Sequence, residues 1–218
     1  MYKEKQNFQS VFPDNIFTTR EMTVEDISNV LLICRESFPN SIRWHYSLEM
    51  GVKWLQTIIE SNSVEKFVIA RQDQICGFCI LVTNIEGFNK LKSVLKINNY
   101  EIPKIAYKKS RLVLIQIKKR IKNYITFHKS IKKNQDKKSS NRGIAWIEMI
   151  AISKKYRRMG LSKMLFMWAE RTCTESGKRK IGSTIQDENI ASIMMHKKFG
   201  FKLDSCSKSG MIYVKKLI

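Results

Sequence analysis

One segment in the second half of the 218-residue chain sets the strongest limit on its fold: residues 147–162, with the sequence IEMIAISKKYRRMGLS. Its first residues are apolar on both faces of a strand, a pattern typical of a central strand in a sheet. A basic turn containing Gly160 follows, and apolar residues then recur at helical spacing from Met164 to Ala169. The sequence therefore predicts a strand, a short loop and a helix in direct succession.

The loop between this strand and this helix is a candidate anion-binding site. The first N–H groups of a helix have no intrahelical acceptor, and the helix dipole adds positive potential at the same place. Gly160 lets a ligand approach the main chain because it has no Cβ. We expect a phosphate or pyrophosphate there, although the sequence has neither G-x-x-x-x-G-K-[ST] nor G-x-G-x-x-G.

The spacing Arg157-x-x-Gly160-x-Ser162 resembles the pyrophosphate loop of the GNAT family of N-acetyltransferases. That loop has Arg or Gln, two residues, Gly, one residue, and then Gly or Ala. Ser162 stands in the last place here, and its side chain is small enough to keep the close approach of a ligand.

A second motif of the same family follows at the right distance, over residues 189–201. It begins with Asn189, which suits a helix N-cap, and ends with Gly200 and Phe201, where Gly200 suits the residue after a helix. His196 stands where the family usually has Tyr. Two ordered matches in one strand–helix–strand–helix context are far more specific than either motif alone.

The resemblance implies an α/β fold with a mixed, mostly antiparallel twisted sheet flanked by helices. It implies one acetyltransferase domain over residues 1–218, with residues 86–143 inserted in it. It also implies acetyl-CoA as the donor and no metal. The expected donor-binding residues are Ile150, Ala151, Ile152, Arg157, Arg158, Met159, Gly160, Leu161, Ser162, Lys163 and Asn189.

Acetyl transfer from a thioester to an amine needs a proton acceptor for the amine, a hydrogen-bond donor for the carbonyl oxygen, and a proton for the departing thiolate. Glu148 is the candidate base, because a carboxylate in an apolar strand is costly unless it is paired or functional. Many GNAT enzymes have Glu at this place, and the alternative is a Glu that faces solvent. His196 is the candidate proton donor to the thiolate, and the alternative is an ordinary helix histidine.

The rest of the chain predicts elements around this centre. We expect a strand over residues 16–20, a helix that starts at Thr23, and a second amphipathic helix. The apolar face of that helix is expected to consist of Leu48, Val52, Leu55 and Ile59, preceded by Trp44. A β-hairpin should turn at residues 71–74, and a second hairpin should close the chain. Cys76 and Cys79 are predicted to be buried thiols of the first hairpin and not metal ligands.

Residues 86–143 differ from the rest in charge. They hold 17 Lys and Arg against 3 Asp and Glu, which is most of the net charge of +21. Apolar residues recur three and four apart from Leu114 to Ile131, so the pattern predicts a basic amphipathic helix over residues 110–133. It either lies on an anionic membrane surface or packs its apolar stripe on the domain. Nucleic acid is the least favoured partner, because aromatics are sparse and no base-reading motif is present.

The N-terminal sequence MYKEKQNFQS has no apolar signal-peptide core, and no apolar run approaches the length of a membrane span. We therefore expect a cytoplasmic protein, peripheral to the membrane if residues 110–133 bind one. A monomer and a homodimer both fit the sequence.

The resemblance identifies the acetyl donor more specifically than it identifies the acceptor. GNAT enzymes with a long basic insertion before the central strand resemble those of surface-polysaccharide or glycolipid pathways. The expected acceptor is thus a small-molecule amine, an amino sugar on a nucleotide or lipid carrier. The alternatives are a protein or peptide acceptor, or a non-catalytic module that binds membrane or RNA through residues 110–133. Polyamines are disfavoured because the net charge of +21 would repel them.

Overall fold

The structure is a computed structural model that describes residues 16–39, 41, 44, 48–94, 143–207 and 210–217. The chain has the predicted α/β class, with seven mostly antiparallel strands and flanking helices in these ranges. The predicted basic helix over residues 110–133 lies outside them, as does most of the predicted insertion over 86–143. The single domain and its insertion therefore stay predictions.

The described residues fall into two compact units. The first unit comprises those within 1–83 and 147–172, and the second unit those within 84–146 and 173–218. Each is described by itself. None of the helices in the described ranges is both long enough and apolar enough to cross a membrane.

Four strands build the sheet of the first unit, in chain order. They are β1 (Thr18–Glu21), β2 (Val64–Arg71), β3 (Gln74–Val82) and β4 (Ile144–Ile152), whose first three residues belong to the second unit. β1 and β2 are antiparallel, and so are β2 and β3. The β2–β3 hairpin turns through Gln72 and Asp73, as the polar residues at 71–74 predict.

The helices of the first unit are α1 (Ile27–Ser37), α2 (Leu48–Glu60) and α4 (Leu161–Glu175). α1 packs on α2 and β3. Trp168 of α4 stacks on Phe67 of β2, with 4.6 Å between the ring centroids. Trp44 is buried and meets Trp54 edge-on, with 5.4 Å between the ring centroids, so it belongs to the core.

The predicted apolar face of α2 is partly wrong. Leu48 is 58% exposed, whereas Trp54, Leu55 and Ile58 are buried. Residues 51, 54, 55 and 58 also recur at three and four, so the sequence holds two overlapping helical stripes. Trp54 decides between them, because it buries the largest apolar surface.

The entry into α1 is held by an ion pair between the buried Asp26 and the exposed Arg20. A 3₁₀ turn over Val24–Asp26 precedes α1, and the Arg20 guanidinium donates to both carboxylate oxygens of Asp26 at 2.6 and 2.7 Å. The Thr23 N–H also donates to Asp26, at 2.9 Å. Burial by itself raises the pKa of Asp26, but these hydrogen bonds and the Arg20 charge hold that pKa below its usual value.

The second unit contains α3 (Ile85–Val94), β5 (Lys180–Ile185), α5 (Ile190–Lys198), β6 (Lys202–Ser207) and β7 (Gly210–Lys216). β7 lies between β5 and β6 and is antiparallel to both. The helix α3 was not predicted, because its residues were assigned to the insertion. Gly182 of β5 lies under Trp146, where a Cβ would come within 2.5 Å of the indole ring.

Gly77 of β3 lets β4 approach closely in the first unit. A Cβ at this position would lie 2.9 Å from the Ala151 carbonyl oxygen and 3.1 Å from the Ile152 side chain. The register between β2 and β3 shifts beside it, since Ile69 is opposite Gly77 and Ala70 is opposite Ile75. A glycine inside a strand is typical of a bulge, and the close approach of β4 is a second reason for a glycine at this position.

We expect Gly77→Ala to lower the free energy of unfolding by about 2 kcal/mol, because the new methyl group must displace the main chain of β4. Urea-induced unfolding followed by circular dichroism measures the change. Gly143→Ala is the matched control, since a Cβ there meets nothing within 4 Å. It should change the stability by less than about 0.5 kcal/mol. Equal effects of the two substitutions would contradict the close approach of β3 and β4.

Candidate active site

β4 presents two different faces. Ala145, Ile147, Met149 and Ala151 are buried, and the residues between them are half-buried. One face of β4 is therefore only half-buried, although most of its residues are apolar. Glu148 lies on the half-buried face together with Ile150 and Ile152, where a carboxylate keeps partial contact with water and costs less than in the core.

The main chain turns sharply between β4 and α4. A 3₁₀ turn over Lys154–Tyr156 leads to Arg157, and the next residue, Arg158, has a φ of 66°. Gly160 has a φ of 79°, and α4 begins at Leu161. A Cβ at Gly160 would meet nothing within 4 Å, so the glycine is needed for its conformation and not for space inside the protein.

The turn reaches the protein surface directly before α4 begins. Residues 157–160 are exposed, while Leu161 is buried and anchors the start of α4. The Lys163 N–H already donates to the Gly160 carbonyl at 2.9 Å, whereas the first N–H groups of a helix have no acceptor within it. Together with the helix dipole, these N–H groups suit a bound phosphate or pyrophosphate.

The first half of this loop is held by α1. The Glu36 carboxylate accepts a hydrogen bond from the Lys154 N–H at 3.0 Å. The Arg157 guanidinium donates through Nε to the Ile152 carbonyl at 3.1 Å and through an Nη to the Ser37 hydroxyl at 3.3 Å. The Arg157 side chain is thus oriented by protein atoms.

The hairpin β2–β3 holds the same half of the loop from the other side. The Tyr156 hydroxyl donates to the Gln74 side-chain oxygen at 2.5 Å, and the Ser153 N–H donates to the Cys76 carbonyl at 2.9 Å. Tyr156 itself is buried. Loop residues 153–157 are therefore fixed by contacts from both α1 and β3.

The two cysteines of β3 are buried, as predicted. Burial raises the pKa of the Cys76 thiol and that of the Cys79 thiol, so both stay protonated near neutral pH. Among the described residues, no three His, Cys, Asp or Glu side chains come together as metal ligands would.

The predicted residues of the second motif lie in the second unit. The Asn189 side chain accepts from the Ser192 N–H at 3.1 Å and so caps α5, as predicted for this position. Gly200 follows the helix with a φ of 84°. The role of Asn189 that the structure describes is the start of α5.

His196 is buried, with 1% of its surface exposed. Its Nδ1 lies 2.8 Å from the Ser192 carbonyl oxygen, and its ring meets Phe201 edge-on at 5.1 Å. A carbonyl oxygen only accepts, so Nδ1 carries the proton. Burial lowers the pKa of His196, against the opposing effect of the Ser192 hydrogen bond, and the ring is therefore neutral near pH 7.

The residues that fix the loop were not found from the sequence. Glu36 and Ser37 precede it by more than a hundred positions, and nothing in the local pattern of α1 shows that they contact it. The left-handed conformation of Arg158 also has no sequence signal, because glycine or asparagine is the usual residue there. The left-handed conformation of Gly160, in contrast, could be expected from the sequence, because glycine is the residue that adopts it most readily.

Comparison with solved structures finds the same fold in several acetyltransferases. An N-acetyltransferase from Staphylococcus aureus Mu50 matches with a TM-score of 0.57 and 15% identity, over 93% of this chain and 99% of the other. Ard1 from Thermoplasma volcanium matches with a TM-score of 0.55 and 16% identity, over 93% and 99%. The PaiA N-acetyltransferase from Thermoplasma acidophilum, in complex with coenzyme A, matches with a TM-score of 0.54 and 14% identity, over 92% and 98%.

A search of curated protein sequences finds no match. The profile of the Acetyltransferase (GNAT) family, in contrast, matches residues 30–201, which is most of the chain. This range includes β4, the loop before α4, and α5 with its Asn189 cap. The chain therefore belongs to the GNAT family of acetyltransferases.

Proposed function

We propose that this acetyltransferase binds acetyl-CoA at the β4–α4 loop and transfers the acetyl group to a primary amine by direct attack on the thioester. The observation that carries the proposal is the loop itself, where exposed residues 157–160 turn through left-handed conformations at Arg158 and Gly160 into the start of α4. The first N–H groups of α4 have no acceptor within the helix and are the proposed ligands of the anion. Pyrophosphate is the part of coenzyme A that such a site recognises, because both its charge and its oxygen acceptors match.

The donor site extends from the loop along β4. The pyrophosphate contacts come from residues 157–163, chiefly through the main chain. A main-chain N–H of Ile150, Ala151 or Ile152 holds the thioester carbonyl oxygen as it gains negative charge. These residues belong to β4, to the loop that directly follows it and to the first turn of α4, so one continuous segment aligns the donor.

Glu148 acts as the general base. It lies on the half-buried face of β4, two residues before Ile150, so its carboxylate is within one strand step of the proposed oxyanion donors. Partial contact with water suits a base that takes the amine proton through a water molecule.

The proton-donor role of His196 stays a prediction, and its geometry favours the structural alternative. In the neutral ring Nδ1 carries the only proton and uses it in the hydrogen bond to the Ser192 carbonyl. Nε2 therefore has no proton to donate. Donation to a thiolate would need the doubly protonated ring, which burial disfavours. We infer that His196 mainly links α5 to Phe201.

The proposed acceptor is an amino sugar on a nucleotide or lipid carrier. The support is electrostatic: a chain of net charge +21 attracts an anionic carrier. Residues 110–133 are the proposed contact with an anionic membrane surface. A protein or peptide acceptor, and a module that binds without turnover, are the alternatives that an assay on amines distinguishes.

Gly160→Asp should weaken coenzyme A binding by about 100-fold, because a carboxylate at the pyrophosphate site repels the ligand. Isothermal titration calorimetry measures the dissociation constant. Gly160→Asn is the matched control, since asparagine has the same size, tolerates positive φ and carries no charge. It should lose much less affinity. Equal losses in the two variants, or no binding by the natural protein, would contradict the proposed donor site.

Glu148→Gln should lower turnover by roughly 100-fold while coenzyme A binding stays unchanged, because the amide keeps the shape and cannot accept a proton. Thiol release from acetyl-CoA is followed with nucleotide-linked amino sugars, peptides and polyamines, among which the amino sugars should react fastest. Full activity of Glu148→Gln would exclude Glu148 as the base. Turnover on peptides alone would instead favour a protein acceptor, and donor binding without turnover on any amine would favour the non-catalytic module.

His196 should make stability depend on pH. Its pKa is lower in the folded state than the ordinary 6.5, so the unfolded chain takes up a proton first and stability falls as the pH drops below that value. Urea unfolding between pH of about 7.5 and 5.5 should show this loss, and His196→Phe should reduce it. The same pH dependence in both proteins would mean that His196 titrates normally.

A further inference from the structure

The donor loop consists of two parts with different surroundings. Residues 153–157 are hydrogen-bonded to α1 and β3, whereas residues 158–160, which lead into α4, are exposed. Arg158, the first residue of the exposed part, has a φ of 66°, which a residue other than glycine adopts only where its surroundings require it. Contacts immediately before it hold the main chain that leads into this conformation.

Two side chains make the contacts on the α1 side. The Glu36 carboxylate accepts from the Lys154 N–H at 3.0 Å. The Arg157 guanidinium is held at two points, the Ile152 carbonyl and the Ser37 hydroxyl, at 3.1 and 3.3 Å. A guanidinium is planar and rigid, so two fixed contacts orient the whole group.

We propose that Glu36 and Arg157 are positioning residues of the donor site, which act by holding loop residues 154–157 so that residues 158–162 present their N–H groups to the pyrophosphate. The Arg157 side chain acts through Ile152 and Ser37 and not as a ligand of the phosphate. The inference rests on the proposed function, since it assigns roles within that donor site.

The charge of Glu36 supports a positioning role. A carboxylate beside a site for pyrophosphate repels the ligand, so Glu36 cannot serve as a contact to it. Its benefit is the hydrogen bond to the Lys154 N–H, which a neutral acceptor of the same length could also make. The two roles therefore predict opposite results when Glu36 is replaced.

Calorimetric titration with coenzyme A separates the roles of Glu36. Glu36→Ala removes the acceptor and should weaken binding about fivefold, whereas Glu36→Gln keeps an acceptor and should bind nearly as the natural protein does. Glu49→Ala removes an exposed carboxylate from α2 and controls for the change in net charge. Tighter binding by Glu36→Ala would overturn the positioning role, because it would show that the carboxylate only repels the ligand.

The same titration separates the roles of Arg157. Lysine keeps the charge but cannot reach both Ile152 and Ser37 from one nitrogen in the same way, so Arg157→Lys should lose about as much affinity as Arg157→Met. Binding by Arg157→Lys at the natural affinity would instead make Arg157 a charged phosphate ligand. Glu36→Ala combined with Arg157→Met should lose less than the product of the two separate losses, because both release the same loop.

Thermal unfolding of each variant shows whether a loss of coenzyme A affinity comes from the loop alone or from a less stable protein. The midpoint temperature of unfolding should stay near that of the natural protein, since Glu36 and Arg157 are exposed. If the natural protein binds no coenzyme A, the proposed function fails and the inference falls with it. If the natural protein binds and all variants bind equally well, the positioning role alone is overturned.

Discussion

The main chain between β4 and α4 turns through two residues of left-handed conformation, Arg158 and Gly160, and the proposed donor site depends on this turn. It joins the end of a strand to the start of a helix, whose first N–H groups have no acceptor within the helix. A left-handed conformation is costly for Arg158, and the residues just before it are held by elements far away in sequence. In the proposed account, α1 and the β2–β3 hairpin therefore support the site although neither contains a motif residue.

Strand β4 carries both the proposed base and residues of the proposed donor site. The half-buried face of β4 carries Glu148, Ile150 and Ile152, and its buried face packs into the core. Alternation along one strand thus separates residues that stabilise the fold from residues open to substrate. Gly77 on the neighbouring strand allows β4 to lie close to β3, which fixes the position of that face. Binding and catalysis in the proposed mechanism depend on the placement of a single strand.

The sequence predicted the parts of the molecule whose signals are local. β4, α4, the β2–β3 turn and the Asn189 cap follow from apolar spacing and from residues that favour one conformation. The apolar face of α2 was partly mispredicted, because two stripes of similar spacing compete and only packing around Trp54 chooses between them. The hydrogen bonds of Glu36 and Arg157 could not be predicted, because they join residues that are distant in sequence and carry no pattern. His196 fell on a motif position, yet only its burial and its Ser192 contact show which nitrogen carries the proton.

Nuclear magnetic resonance of the ¹⁵N-labelled protein, titrated with coenzyme A, tests most directly whether the loop holds the pyrophosphate. Hydrogen bonding to an anion changes the chemical shift of an amide proton. We predict the largest changes at the amides of residues 158–162, with smaller changes along 150–152. Saturating binding that leaves the amides of residues 158–162 unshifted would contradict the account, because the donor would then bind somewhere else.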